Sequence, residues 1–73
     1  MAQARAVVGS ALERRADAQR DLDRSRTLFE GDAVSREALD KATTVLELAS
    51  SQVTQTEEQL RLLEAGPRRE RIE

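Results

Sequence analysis

Seventy-three residues allow one small unit at most, and apolar residues make up only 38% of them, with Phe29 the sole aromatic. Charged residues reach 36% with both signs mixed and a net charge of only −2, so there is no electrostatic reason to expect nucleic acid or an anionic membrane surface as partner. The absence of Cys and His rules out disulfides and Cys/His metal sites, although it does not decide between cytoplasm and periplasm.

The first segment, residues 3 to 29, contains no Pro and a single Gly, Gly9, among good helix formers. Its N-terminus, MAQARAVVGSALERR, lacks the uninterrupted apolar stretch of a signal peptide. No run in the chain approaches the roughly 20 apolar residues of a membrane span. A seam alternating steps of three and four passes through Ala4, Val8, Ala11, Arg15, Ala18, Leu22, Ser25 and Phe29. Arg15 is expected to pack its stem there and carry its guanidinium outward. Ser25 is expected to be a tolerated small seam residue.

Residues 31 to 35 break the pattern. Gly31 is suited to the left-handed conformation that ends many helices. Ser35 is a good N-cap, its hydroxyl accepting a bond from an unpaired backbone amide of the next turn. Val34 and Leu39 have the spacing of a hydrophobic staple, and Glu37 falls in the first turn, where the helix dipole favours a negative charge.

The second segment, residues 36 to 65, carries the stronger seam: Leu39, Ala42, Leu46, Ala49, Val53, Thr56, Leu60 and Leu63, sustained over about four heptads. Thr56, like Ser25, reads as a small residue accommodated in the seam. Glu37 with Lys41 and Glu57 with Arg61 have the favourable i, i+4 orientation. Gly66-Pro67 predicts a stop near Ala65, leaving residues 66 to 73 as a short, unfolded tail of mixed charge.

Folding the chain about residues 31 to 35 matches the two seams layer by layer. Phe29 falls opposite Leu39, Leu22 opposite Leu46, Arg15 opposite Val53 and Val8 opposite Leu60. Two unrelated helices would have no reason to share one fold point. The reading is therefore all-α: an antiparallel two-helix coiled-coil hairpin, with helix 1 at about 3–30, a tip at 31–35 and helix 2 at about 36–65. Each arm would have about 27 residues and run roughly 40 Å. One stripe per helix, much of it Ala, buries little against an ordering cost of roughly 1.5 kcal/mol per residue. Self-association into a four-helix arrangement through Val45, Leu48 or Leu62 is therefore expected.

Catalysis finds no support. The available acids and bases are carboxylates and Lys41, spread over helical surfaces with no pocket to shift a pKa. Pairs such as Asp17 and Asp21, or Glu57 and Glu58, read as solvated charges rather than metal ligands. No Gly-rich phosphate loop is present, and one aromatic makes no base-stacking platform. No enzyme activity and no cofactor are expected.

The segment RSRTLFEGDAVS, residues 24 to 35, followed by REALDKA, resembles the α-helical hairpin of periplasmic adaptor proteins. These are the HlyD-like membrane fusion proteins of tripartite efflux pumps and type I secretion systems. In that family the tip carries an Arg, a Leu four residues later and a Ser seven residues after that. Arg24, Leu28 and Ser35 stand at those spacings. The later LLEAGPRRERI, residues 62 to 72, is also similar to the family's returning arm. Lipoyl-like and β-barrel segments, a membrane-proximal domain and an anchor have no counterpart here, so the chain is expected to be a hairpin from a larger adaptor anchored at the inner membrane and working in the periplasm.

The resemblance implies that such hairpins form a ring whose tips meet a TolC-like outer-membrane channel, and that other parts of the parent meet an inner-membrane transporter. It implies an apolar tip contact for Leu28, a hydrogen-bond or charge donor for Arg24 and a polar contact for Ser35. Two other readings stand beside it. One is a generic structural or dimerisation hairpin without a tip partner. The other is an RNA-gripping arm, against which Asp17, Asp21 and Asp23 interrupt the basic residues of the first helix.

Overall fold

A computed structural model describes residues 2 to 69, with side-chain surroundings as far as Ala65. Two helices form: α1 is Ala2–Glu30 and α2 is Arg36–Arg69. They pack against each other and against nothing else, in a layer one helix thick measuring 63 × 20 × 11 Å. The hairpin expected from the matched seams is the observed fold.

The seam is where the periodicity puts it. Ala11, Ala18, Leu22, Ala49 and Val53 are buried. Ala4, Val8, Ser25, Phe29, Leu39, Ala42, Leu46, Thr56 and Leu60 are half-buried. The grooves between the helices confirm the register, since Ala11 lies beside Thr56 and Ala18 beside Ala49. Thr56 keeps its hydroxyl satisfied within its own helix, donating to the Val53 carbonyl at 3.0 Å. No charged side chain is buried among the described residues.

Two seam positions depart from the pattern. Arg15 is exposed, as its long charged side chain requires. Leu63 is 56% exposed because its partner layer lies at the very start of α1, where too few residues remain to cover it.

Two further expectations need correction. The arms are unequal, with 29 residues in α1 and 34 in α2. The second helix does not stop at Ala65 but continues through Gly66 and Pro67 to Arg69. Proline's fixed φ is already helical, and the backbone bond that it forfeits is to the carbonyl of Leu63, an exposed residue near the helix end where water can replace it. Of the expected tail, residues 70 to 73 lie outside the described residues.

The surface pairs also differ. Arg61 bonds Glu58, not Glu57, and Arg36 bonds Asp40 at 3.3 Å. Glu37 does occupy the first turn of α2. One pair ties the two helices together at the open end, Arg5 to Glu64 at 3.2 Å. All these pairs are well exposed, so each adds little.

The hydrogen bond from Arg61, reinforced by its charge, holds the Glu58 carboxyl below the usual carboxylate value, and Arg61 is raised in turn. A lowered folded pKa contributes stability above the ordinary carboxylate range and loses it as pH falls through the folded value. Glu58→Gln should therefore remove part of the acid-side fall in helicity, read from melting curves at neutral and acidic pH.

Burial orders the cost of truncation. Leu22, at 4% exposure, should lose about 2–4 kcal/mol as Leu22→Ala. Leu63→Ala should lose under about 0.5 kcal/mol, as a largely exposed position does, despite its equal place in the sequence seam. Urea melts of the two variants check this, and equal losses would mean that the open end is as tightly closed as the middle.

Candidate functional site

The tip is five residues long and every backbone feature in it closes a helix end. The N–H of Ala33 donates to the carbonyl of Leu28 at 2.7 Å, and the N–H of Asp32 to that of Phe29 at 3.0 Å. This nested pair is the Schellman arrangement, which needs one residue in the left-handed region just past the helix. Asp32 takes it, with φ 62°, while Gly31 does not have positive φ. The sequence expectation of a left-handed Gly31 is thus corrected by one position. Asp is one of the few L residues that tolerate this region, through its short polar side chain. Gly31 instead continues the helical pattern, its N–H donating to Thr27 at 3.2 Å.

On the other side of the turn Ser35 caps α2 as expected. Its Oγ accepts the N–H of Ala38 at 3.1 Å, and its carbonyl accepts the first helical bond, from Leu39, at 3.2 Å. Val34 and Leu39, spaced as a staple, are both half-buried. Arg36 adds a link across the turn, its guanidinium carbon standing 6.0 Å from the centroid of the Phe29 ring, within cation–π range.

The predicted trio is arranged around this closure. Arg24 and Leu28 are one turn apart on the same strip of α1. Arg24 is exposed and its Nη1 donates to Asp21 Oδ1 at 3.0 Å. Leu28 is 39% exposed, an apolar side chain left open beside the turn that its own carbonyl helps to close. Ser35 lies across the loop and is exposed. Capping uses one lone pair of its hydroxyl and leaves the O–H as a donor. The tip therefore offers an apolar side chain, a cation and a hydroxyl donor on a backbone with few ways to move.

Sequence reasoning missed Asp32 and Arg36. The signal for Asp32 was the dipeptide Gly31-Asp32, where either residue can take the left-handed position. For Arg36 the only signal was its separation from Phe29 by one short turn. No group of three or more acidic side chains converges as a metal site among the described residues, and no described helix is long and apolar enough to cross a membrane.

No family model, no curated protein and no solved structure matches the chain.

The left-handed position makes a sharp test. Asp32→Gly should stabilise the hairpin by about 0.5–1 kcal/mol, since Gly occupies that region without a Cβ penalty. Gly31→Ala should be neutral or stabilising, because an added Cβ would meet only the Thr27 and Leu28 carbonyls at 3.8 Å, an ordinary contact. Thermal melts in which Gly31→Ala is the damaging change would restore the left-handed conformation to Gly31.

Proposed function

We propose that the chain is a non-enzymatic interaction module, the α-hairpin of a periplasmic adaptor protein in an efflux pump or type I secretion system, whose tip docks onto a TolC-like outer-membrane channel. The parent protein is anchored at the inner membrane and meets its transporter through parts outside this hairpin. The observation that carries the reading is the tip: a tightly hydrogen-bonded turn at the end of a rod, holding Arg24, Leu28 and Ser35 open to solvent. The resemblance of residues 24 to 42 to adaptor hairpins supports it from the sequence.

Mechanically, a stiff rod suits the role. Two helices over 63 Å transmit the position of the tip without a flexible joint, and the Schellman and N-cap bonds fix the tip relative to both helices. One Leu, one Arg and one Ser make a small contact, weak on its own. Several hairpins in a ring, meeting several channel tips at once, would multiply it through effective concentration.

A second reading has its own support. Val45, Leu48 and Leu62 are 48%, 64% and 57% exposed, which favours self-association and would suit a structural or dimerisation hairpin with no tip partner.

The two readings separate in the full-length parent carrying Arg24→Ala, Leu28→Ser and Ser35→Asp together. Asp keeps the N-cap, because its side-chain oxygen accepts the same amide bond, so helicity should stay unchanged. Transport should fall at least about tenfold, the equivalent of about 1.4 kcal/mol of lost contact. Undiminished transport with intact helicity would remove the tip from the mechanism and leave the structural reading.

A further inference from the structure

The hairpin is a flat layer with two broad faces. Residues just before each seam position stand on one face, and residues just after it on the other. Arg14, Asp17 and Asp21 of α1 line one groove together with Val45, Leu48 and Gln52 of α2, all of them preceding seam residues. Arg5 and Glu64, both following seam residues, meet on the opposite side. Near the turn, Arg24 and Leu28 precede seam residues and belong to the first face. Arg36 shares a strip of α2 with Asp40, which follows the seam residue Leu39, and so enters the tip from the other face.

Arg36 is held on two sides. Its Nε donates to Asp40 Oδ1 at 3.3 Å, and its guanidinium carbon stands 6.0 Å from the centroid of the Phe29 ring, at the end of α1. Among the described residues, the other paired arginines have a carboxylate and no aromatic face. The two anchors leave Nη1 and Nη2 of Arg36 without a hydrogen-bond partner among the described residues. The side chain is nevertheless 74% exposed. Its guanidinium is thus steadied from behind, while the outer edge, with two parallel N–H groups, stays open.

Helix stability does not account for a cation at this place. Arg36 opens α2, where the helix dipole disfavours positive charge. An Arg four residues before an Asp is also the weaker order for an i, i+4 pair. Every other feature of the turn follows the local rules for closing or starting a helix, and departures from such rules concentrate at functional positions.

We infer that Arg36 is a fourth recognition residue of the tip and that it takes a carboxylate side chain of the docking partner. The inference rests on the tip-docking reading and deepens it. Two parallel N–H groups match the two oxygens of a carboxylate, a geometry that a Lys ammonium lacks. The ordering cost of the contact is lowered because Asp40 and Phe29 already restrict the side chain. Placement also fixes the direction of approach. Leu28 and Arg36 stand on opposite faces, each within one turn of the loop, so a partner reaches both only end-on. A partner lying along either broad face meets one of them and misses the other.

The test uses the full-length parent with its own outer-membrane channel as the probe, beside the triple variant at Arg24, Leu28 and Ser35. Arg36→Gln should lower transport about tenfold by removing a charge-assisted bidentate contact. Arg36→Lys should fall about as far, since it keeps the charge and loses the fork. Helicity of the 73-residue chain should hold in both, as Gln and Lys are good helix formers at an exposed site. Arg36→Glu should also lose transport, and selection for its recovery should return channel variants that lose or reverse one acidic side chain. Full transport by Arg36→Gln or Arg36→Lys while the triple variant fails overturns the carboxylate contact and leaves tip docking standing. Full transport by the triple variant removes tip docking and this contact with it. Helicity lost in step with transport would make Arg36 a clamp of the turn only, and suppressors that never touch an acidic residue of the channel would equally overturn the contact.

Discussion

The narrowness of the seam governs this molecule. Two helices in a single layer can cover only one stripe on each other, and the buried set is three alanines, one leucine and one valine. Small side chains let the backbones come close, but they remove little apolar surface from water at roughly 25 cal/mol per Å². Widening the stripe would require larger residues at positions such as Ala11 and Ala18, and these would push the helices apart. Close approach and a thin core are therefore the same fact, and the hairpin must draw stability from elsewhere.

Part of it comes from the turn. Bringing two long helices together costs loop-closure entropy, which grows slowly with length and is smallest for a short loop. The five tip residues meet that cost with directed bonds: two backbone bonds close α1 and the Ser35 hydroxyl caps α2. Asp32 accepts an unfavourable backbone conformation so that the bonds can form. The same rigidity that holds the hairpin together also presents Leu28 and Ser35 in fixed positions. Structural closure and a docking surface thus place the same demands on the turn.

What could be read from the sequence follows from what each signal averages over. The fold was legible because the helical period repeats along both segments, and a seam tolerates a misfit such as Arg15 without losing its register. The fold point was legible because both seams had to share it. Single positions were less so. Gly31 and Asp32 both suit a left-handed residue, and the choice turned on which carbonyls Ala33 and Asp32 reach. Arg61 had acids three and four residues before it, a choice of rotamer that spacing alone does not make. The end of α2 was misplaced because Pro67 was read as a stop, whereas near an exposed terminus it gives up only one backbone bond. The tip trio was legible only through resemblance. Helical spacing puts Arg24 and Leu28 on one strip, and nothing in their spacing says what they touch.

The difference between the two faces bears on how the hairpin can assemble. A ring of hairpins needs two lateral surfaces on each member, one for each neighbour, which is a heterologous contact. Here such a contact would set a face on which Val45 and Leu48 stand beside Arg14, Asp17 and Asp21 against one bearing Glu47 and Glu57, leaving the exposed leucine and valine to meet charges. Under the adaptor reading, a ring would have to draw its lateral cohesion from surfaces other than these two faces. Because Arg24 and Leu28 precede seam residues just as Val45 and Leu48 do, they stand on the same face, so whatever covers that face near the turn and whatever meets the tip draw on the same two side chains.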